Sequence, residues 1–145
     1  MTGVQTCALP IFLTRRDWRA ILGLGATIAL AVLGALALSV SFGLEERRAT
    51  TIAFLTLALA QLWHVLSMRD PGSGWLRNEI TANPWMWGAL ALCAGAILGA
   101  VYVAPLAEIL SLSDPGLLGW TTALAMSAPP LLVGQAALEI GRAHV

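Results

Sequence analysis

Four long apolar stretches run along this chain, and the short segments between them hold nearly all of its charge. The first predicts a helix from about Trp18 to Phe42, preceded by Arg15, Arg16, Asp17 and Arg19 and followed by Gly43-Leu-Glu-Glu-Arg-Arg. It is long enough for the hydrocarbon core of a bilayer, which needs ~20 apolar residues. The second predicts a helix from about Thr50 to Met68 that stops at Arg69-Asp70-Pro71-Gly72, a loop signal. The third starts at Asn83-Pro84, where Asn can cap and Pro fits the first turn, and runs to about Val103 before Pro105. The fourth spans about Leu117 to Leu138, and Pro129-Pro130 within it predict a kink, because they remove amide donors and crowd the preceding turn.

Composition turns these helices into membrane spans. The chain is 58% hydrophobic and 11% charged, with mean hydropathy +0.79. A soluble domain carries about 25% charged residues, so the solvent for most of these side chains is lipid. The expected fold is an all-α membrane protein, a bundle of four transmembrane helices at 18–42, 50–68, 84–103 and 117–138. The first stretch is too long for a signal-peptide core and has no convincing cleavage site, so it stays in the membrane. Net charge is zero and lysine is absent, which excludes the clustered cations a nucleic-acid binder needs.

Arginine placement gives the orientation. The N-terminal flank and the second loop hold Arg15, Arg16, Arg19, Arg69 and Arg77, the first loop holds Arg47 and Arg48, and the third loop holds none. The positive-inside rule then puts both termini in the cytoplasm. Trp18, Trp75, Trp85 and Trp87 fall at that interface and Trp120 near the other, where amphipathic rings prefer to lie. Small residues four apart, Gly25/Ala29 and Ala31/Ala35 on the first span and Ala91/Gly95/Gly99 on the third, supply ridges for close helix packing.

The termini carry a different signal. One short oligonucleotide encodes Val4 to Ile11 on one strand and Ile140 to Val145 on the other, as a sequencing adapter at both ends of a fragment would. Residues 1–11 and 140–145 are therefore set aside as adapter-derived, leaving 12–139 as the domain, and Cys7 and His144 drop out of functional arguments. Cys93 is too far from Cys7 to suggest a metal motif or a disulfide framework.

The candidate chemistry lies on the second span. At about 100° per residue Thr50, Phe54, Leu57, Gln61, His64 and Met68 share one stripe. Gln61 sits about 18 Å from the outer end of its span at 1.5 Å per residue, hence within the bilayer. Its amide has two readings. It is helix glue, bonding a neighbouring helix for about 0.6 to 2 kcal/mol, or it lends a carbonyl oxygen to a cation pathway, since hard cations take oxygen ligands. His64, one turn nearer the cytoplasm, is either a proton-linked neighbour of that site or a hydrogen-bonded interfacial histidine. No carboxylate lies inside a span, and Glu45, Glu46, Asp70, Glu79, Glu108 and Asp114 read as solvated loop charges. No phosphate-binding glycine loop, nucleophile elbow or metal-ligand spacing is present, so no residue is assigned a catalytic role.

The segments FLTRRDWRAIL, ATTIAFLTLALAQLWHVLSMRD, NPWMWGALAL, YVAPLAEIL and LGWTTALAMSAPPLLV together resemble the last four transmembrane helices of P-type cation-transporting ATPases of the calcium-pump-like branch. The resemblance covers about Phe12 to Glu139, and the order and separation of the motifs match as well as their letters. It implies that this segment is the C-terminal membrane domain of a pump. The phosphorylated aspartate, the ATP- and Mg-using domains and the first six helices precede it, and no cofactor is held here. It implies that Gln61 occupies the ion-site position of the family's eighth helix, with an amide where the best-known calcium pumps have glutamate; that keeps an oxygen ligand and loses a charge. The partners it implies are the lipid bilayer, the rest of the parent pump and the transported cation. The first loop is too short to dock an accessory subunit, so the expected setting is a single-subunit pump of a prokaryotic plasma membrane.

The alternative is a stand-alone four-helix membrane scaffold or regulatory protein. A miniature transporter is disfavoured because no span holds a charge. Genomic sequence read continuously through both ends separates the first two. The frame is expected to run upstream into an Asp-Lys-Thr-Gly-Thr motif and a nucleotide-binding domain, and a native start just before Phe12 with a stop near Glu139 would instead establish the scaffold.

Overall fold

The computed structural model describes residues 15–67 and 81–142, with side chains described at 18–65 and 81–134. The expected second loop with Arg69, Asp70, Trp75 and Arg77, the end of the second span at Met68, and Cys7 and His144 lie outside the described residues. Within them every regular element is helical: α1 (Arg15–Ser41), α2 (Glu46–Ser67), α3 (Pro84–Tyr102), α4 (Ala104–Ile109) and α5 (Gly116–Arg142).

Three helices are long and apolar enough to cross a membrane among the described residues: α1 over Trp18–Ser41, α3 over Pro84–Tyr102 and α5 over Gly116–Gly134. The fourth expected span, α2, is not among them. Its apolar run continues past Ser67 to Met68, outside the described residues. The helix also begins four residues before the expected Thr50. The apolar run marks where lipid begins, but a helix continues past that level as long as its backbone stays paired, and Glu46 suits the positive N-terminal end of the helix dipole.

Both ends of α3 follow from local chemistry. Asn83 Oδ1 accepts from the Trp85 amide at 3.0 Å and Pro84 fills the first turn, the expected cap. At the other end Val103 turns extended ahead of Pro105, and the chain restarts as α4, a short helix absent from the sequence reading. Six residues are too few to show a periodic signal. Gly43 ends α1 in the left-handed region, with the Leu44 amide on Ser39 O and the Gly43 amide on Val40 O. This pattern pairs carbonyls that the helix leaves free, at a φ that glycine adopts without strain. Helix α5 stays helical through Pro129 and Pro130.

Of the four long helices, α1, α2 and α5 pack most closely, each on the other two, and α3 lies beside α2. Among the described residues α3 adds Val101 to the core and reaches α5 through Tyr102 and Trp120. The core stripe of α1 is Ile28, Ala31, Ala35 and Ser39. That of α2 is Ala49, Ile52, Leu55, Thr56 and Ala60, and that of α5 is Pro115, Gly119, Thr122, Ala123 and Ser127. The Ala31/Ala35 ridge thus packs as expected. The Gly25 and Gly95/Gly99 positions do not, since a Cβ at any of the three would meet nothing within 4 Å. Large apolar residues such as Leu22, Leu30, Leu33 and Leu92 point outward, as lipid permits and water would not.

Helices α2 and α5 pack together most extensively, with Ile52 of α2 close to Gly119 of α5. A Cβ on Gly119 would stand 2.6 Å from Pro115 Cβ and 3.1 Å from Ile52 Cγ1. A proline ring cannot swing aside, so Gly119→Ala is expected to cost about 1–3 kcal/mol by overpacking. Gly25→Ala, in open space, is expected to leave stability unchanged or slightly raised by the better helix propensity. Thermal unfolding in detergent, followed by tryptophan fluorescence, checks the contrast; equal midpoints for the two variants would refute the close approach.

Candidate functional site

Helix α2 has two faces. Its inner face packs against α1 and α5, with Thr51, Ile52, Leu55, Thr56 and Ala60 fully buried. The predicted stripe lies on the other side: Thr50, Leu57 and Gln61 are exposed, and Phe54 and His64 are half-buried. Gln61 therefore does not bond within the bundle, and no hydrogen bond of its side chain exists among the described residues. His64, one turn on, turns Nδ1 inward, where the atom is buried without a hydrogen-bond partner. A buried polar atom left unpaired costs free energy that a partner would recover. No group of three or more His, Cys, Asp or Glu side chains that could hold a metal ion occurs among the described residues. Glu45, Glu46, Glu108 and Asp114 are exposed, outside the long apolar runs, and Asp70 and Glu79 lie outside the described residues.

The interior of the bundle contains hydroxyls, and nearly all of their capacity is spent locally. Ser39, Thr51, Thr56, Thr122 and Ser127 are buried. Each donates to a carbonyl three or four residues back, at distances from 2.7 to 3.0 Å. A hydroxyl that bonds its own helix needs no partner from a neighbour and can face a lipid-like interior. These residues therefore satisfy themselves and do not form a polar pathway. One carries an interhelical bond as well: Trp63 Nε1 on α2 donates to Ser127 Oγ on α5 at 3.0 Å.

A second polar cluster lies at the end of the bundle where α1 stops and α2 and α5 begin. Arg48 Nε donates to the Asp114 carbonyl at 3.1 Å, and the Ser113 amide donates to Thr51 Oγ1 at 2.9 Å. Trp120 Nε1 donates to Tyr102 Oη at 3.0 Å, and that hydroxyl donates to Asp114 Oδ1 at 3.4 Å. The same carboxylate oxygen accepts from the Gly116 amide at 3.0 Å, fixing the turn into α5. Sequence reasoning treated Asp114 as a solvated charge, Arg48 only as an orientation signal and Trp120 as an interface ring. The Ser-Asp-Pro-Gly order at 113–116 is the signal that could have placed the carboxylate, since Asp ahead of Pro-Gly forms such turns. The reach to Tyr102 and Arg48 depends on tertiary placement that no local pattern encodes.

Among the described residues Gln61 is exposed on the outer face of α2, His64 is half-buried beside it, and the engaged acid, Asp114, lies at the end of the bundle. A comparison with known families gives the context for that open face: the family described as the C-terminus of cation-transporting ATPases matches residues 10–139. The match ends where the suspected adapter at 140–145 begins and starts two residues inside the one at 1–11.

The Trp63–Ser127 bond is open to a double-mutant test. Trp63→Phe and Ser127→Ala are each expected to lower stability by about 0.6–2 kcal/mol, and the double variant by less than their sum. Strict additivity in detergent unfolding would show that the bond contributes nothing.

Proposed function

Since the chain belongs to the family formed by the C-termini of cation-transporting ATPases, and is an integral membrane protein of P-type pump character, we propose that it is the last four-helix segment of an ATP-driven cation pump. On this reading α2 crosses the bilayer with α1, α3 and α5, both termini are cytoplasmic, and the parent resides in a prokaryotic plasma membrane. ATP and Mg are used by domains of the parent that precede this segment. The remaining helices of the pump cover the open face of α2.

The observation that carries the proposal is Gln61. An amide at bilayer depth, exposed and without a hydrogen-bond partner among the described residues, is costly in lipid. The cost is offset if further helices of the pump bring oxygen ligands to the same place and a cation sits among them, with the Gln61 carbonyl as one neutral ligand. His64 would stand beside that site. The charge the site needs then comes from the helices outside this chain, consistent with the absence of any carboxylate in the apolar stretches.

In the full-length pump, Gln61→Leu is expected to raise the cation concentration for half-maximal ATP hydrolysis about tenfold, equivalent to about 1.4 kcal/mol. Gln61→Glu is expected to keep cation binding. An unchanged cation dependence in Gln61→Leu would return the residue to helix packing.

A further inference from the structure

Where α3 gives way to α4, large apolar side chains crowd the surface beyond the last turn of a span. Tyr102, Val103, Leu106, Ile109 and Leu110 are 55, 47, 46, 79 and 47% exposed. In an aqueous loop such a cluster would be an aggregation liability.

Helix α4 sorts its residues onto separate flanks. Ala107 is half-buried and packs against the core formed in part by Val101 and Leu112. Glu108 lies two positions from both Leu106 and Leu110, so at 100° per residue it projects about 160° away from each. The exposed surface of α4 is thus divided into an apolar flank of Leu106, Ile109 and Leu110 and a charged flank of Glu108. The helix cannot lengthen: Ser111 takes the left-handed region, with the Leu112 amide on Ala107 O and the Ser111 amide on Glu108 O closing its end.

We propose that α4 is an interfacial anchor, its Leu106, Ile109 and Leu110 flank lying in the boundary between headgroups and acyl chains of the leaflet at that end of the bundle, with Glu108 toward water. Lipid is the occupant because the apolar flank continues the outward face of α3, a span whose Leu92, Leu98 and Tyr102 are exposed to the bilayer. Only Val103 separates the two helices, so α4 begins at the level where α3 leaves the hydrocarbon. The aromatic pair Tyr102 and Trp120, with Trp120 donating to the Tyr102 hydroxyl and that hydroxyl to Asp114, marks that same level. An amphipathic helix held parallel to the interface buries its apolar side there and keeps its charge wet. The inference rests on the membrane placement of α3 and is independent of any role for Gln61.

The test uses the full chain in phosphatidylcholine vesicles, with Cys7→Ser and Cys93→Ser as background and single labelling sites at Leu106→Cys, Glu108→Cys and Ile109→Cys. Each carries an environment-sensitive fluorophore, and quenching by lipid bearing a nitroxide near its headgroup is compared with quenching by aqueous iodide. A label at Leu92→Cys, exposed on α3, calibrates the hydrocarbon depth. Labels at 106 and 109 are expected to be quenched several-fold more by the lipid than by iodide, with the order reversed at 108. Iodide quenching at 106 and 109 equal to that at 108 would overturn the proposal by placing α4 in water. Protection from both quenchers would overturn it in favour of a protein partner such as a second copy of the chain.

Discussion

In a bilayer no hydrophobic force presses helices together, because lipid tails are as apolar as leucine; cohesion comes from close contact and from the few polar bonds that cross between helices. The approach of α2 to α5 at Gly119 and Ile52 is the contact on which the rest of this structure depends. It seats the inner face of α2, allows α1 to add its Ala31 and Ala35 ridge against both, and brings Trp63 within hydrogen-bonding distance of Ser127. Gly34 plays a similar part between α1 and α5, its open side filled by the end of Met126. Once these three helices are locked, the opposite face of α2 has only α3 to cover it.

That asymmetry gives α2 two unlike faces. Its inner face is lined by alanine and threonine, while Gln61 lies exposed on the outer face and His64 is half-buried beside it with Nδ1 buried. The buried hydroxyls are spent on their own helices and leave few polar groups free inside the bundle. At the other end, Arg48, Thr51, Tyr102, Asp114 and Trp120 tie α2, α3 and α5 together through the segment that follows α4. Helix α3 packs little, and its position is set more by that tie than by its own helix face.

Much of the fold was legible because lipid imposes a simple grammar. The Asn83-Pro84 start, the Ala31/Ala35 ridge and the four long helices follow from capping chemistry, small-residue spacing and span length. What escaped depends on tertiary context. The sequence shows Ala91, Gly95 and Gly99 as a packing ridge just as plainly as Ala31 and Ala35, yet Gly95 and Gly99 have nothing within reach, because spacing says that a helix can be approached closely and not by what. Helix α4 is too short for periodicity to reveal. Asp114 was legible as an acid near a turn, but not as the acceptor of Tyr102. For Gln61, depth and stripe could be read directly, whereas its exposure on the side of α2 away from α1 and α5 required the packing of those helices.

The Gln61 face of α2, turned away from α1 and α5, is proposed to look toward the other helices of a pump. A structure of the full-length parent with its transported cation bound tests it most directly. The account predicts Ile52 and Gly119 in contact as they are here, and the Gln61 side-chain oxygen facing the preceding helices at coordination distance from the ion. Gln61 turned to bulk lipid, or rotated inward to bond α1 or α5, would contradict it.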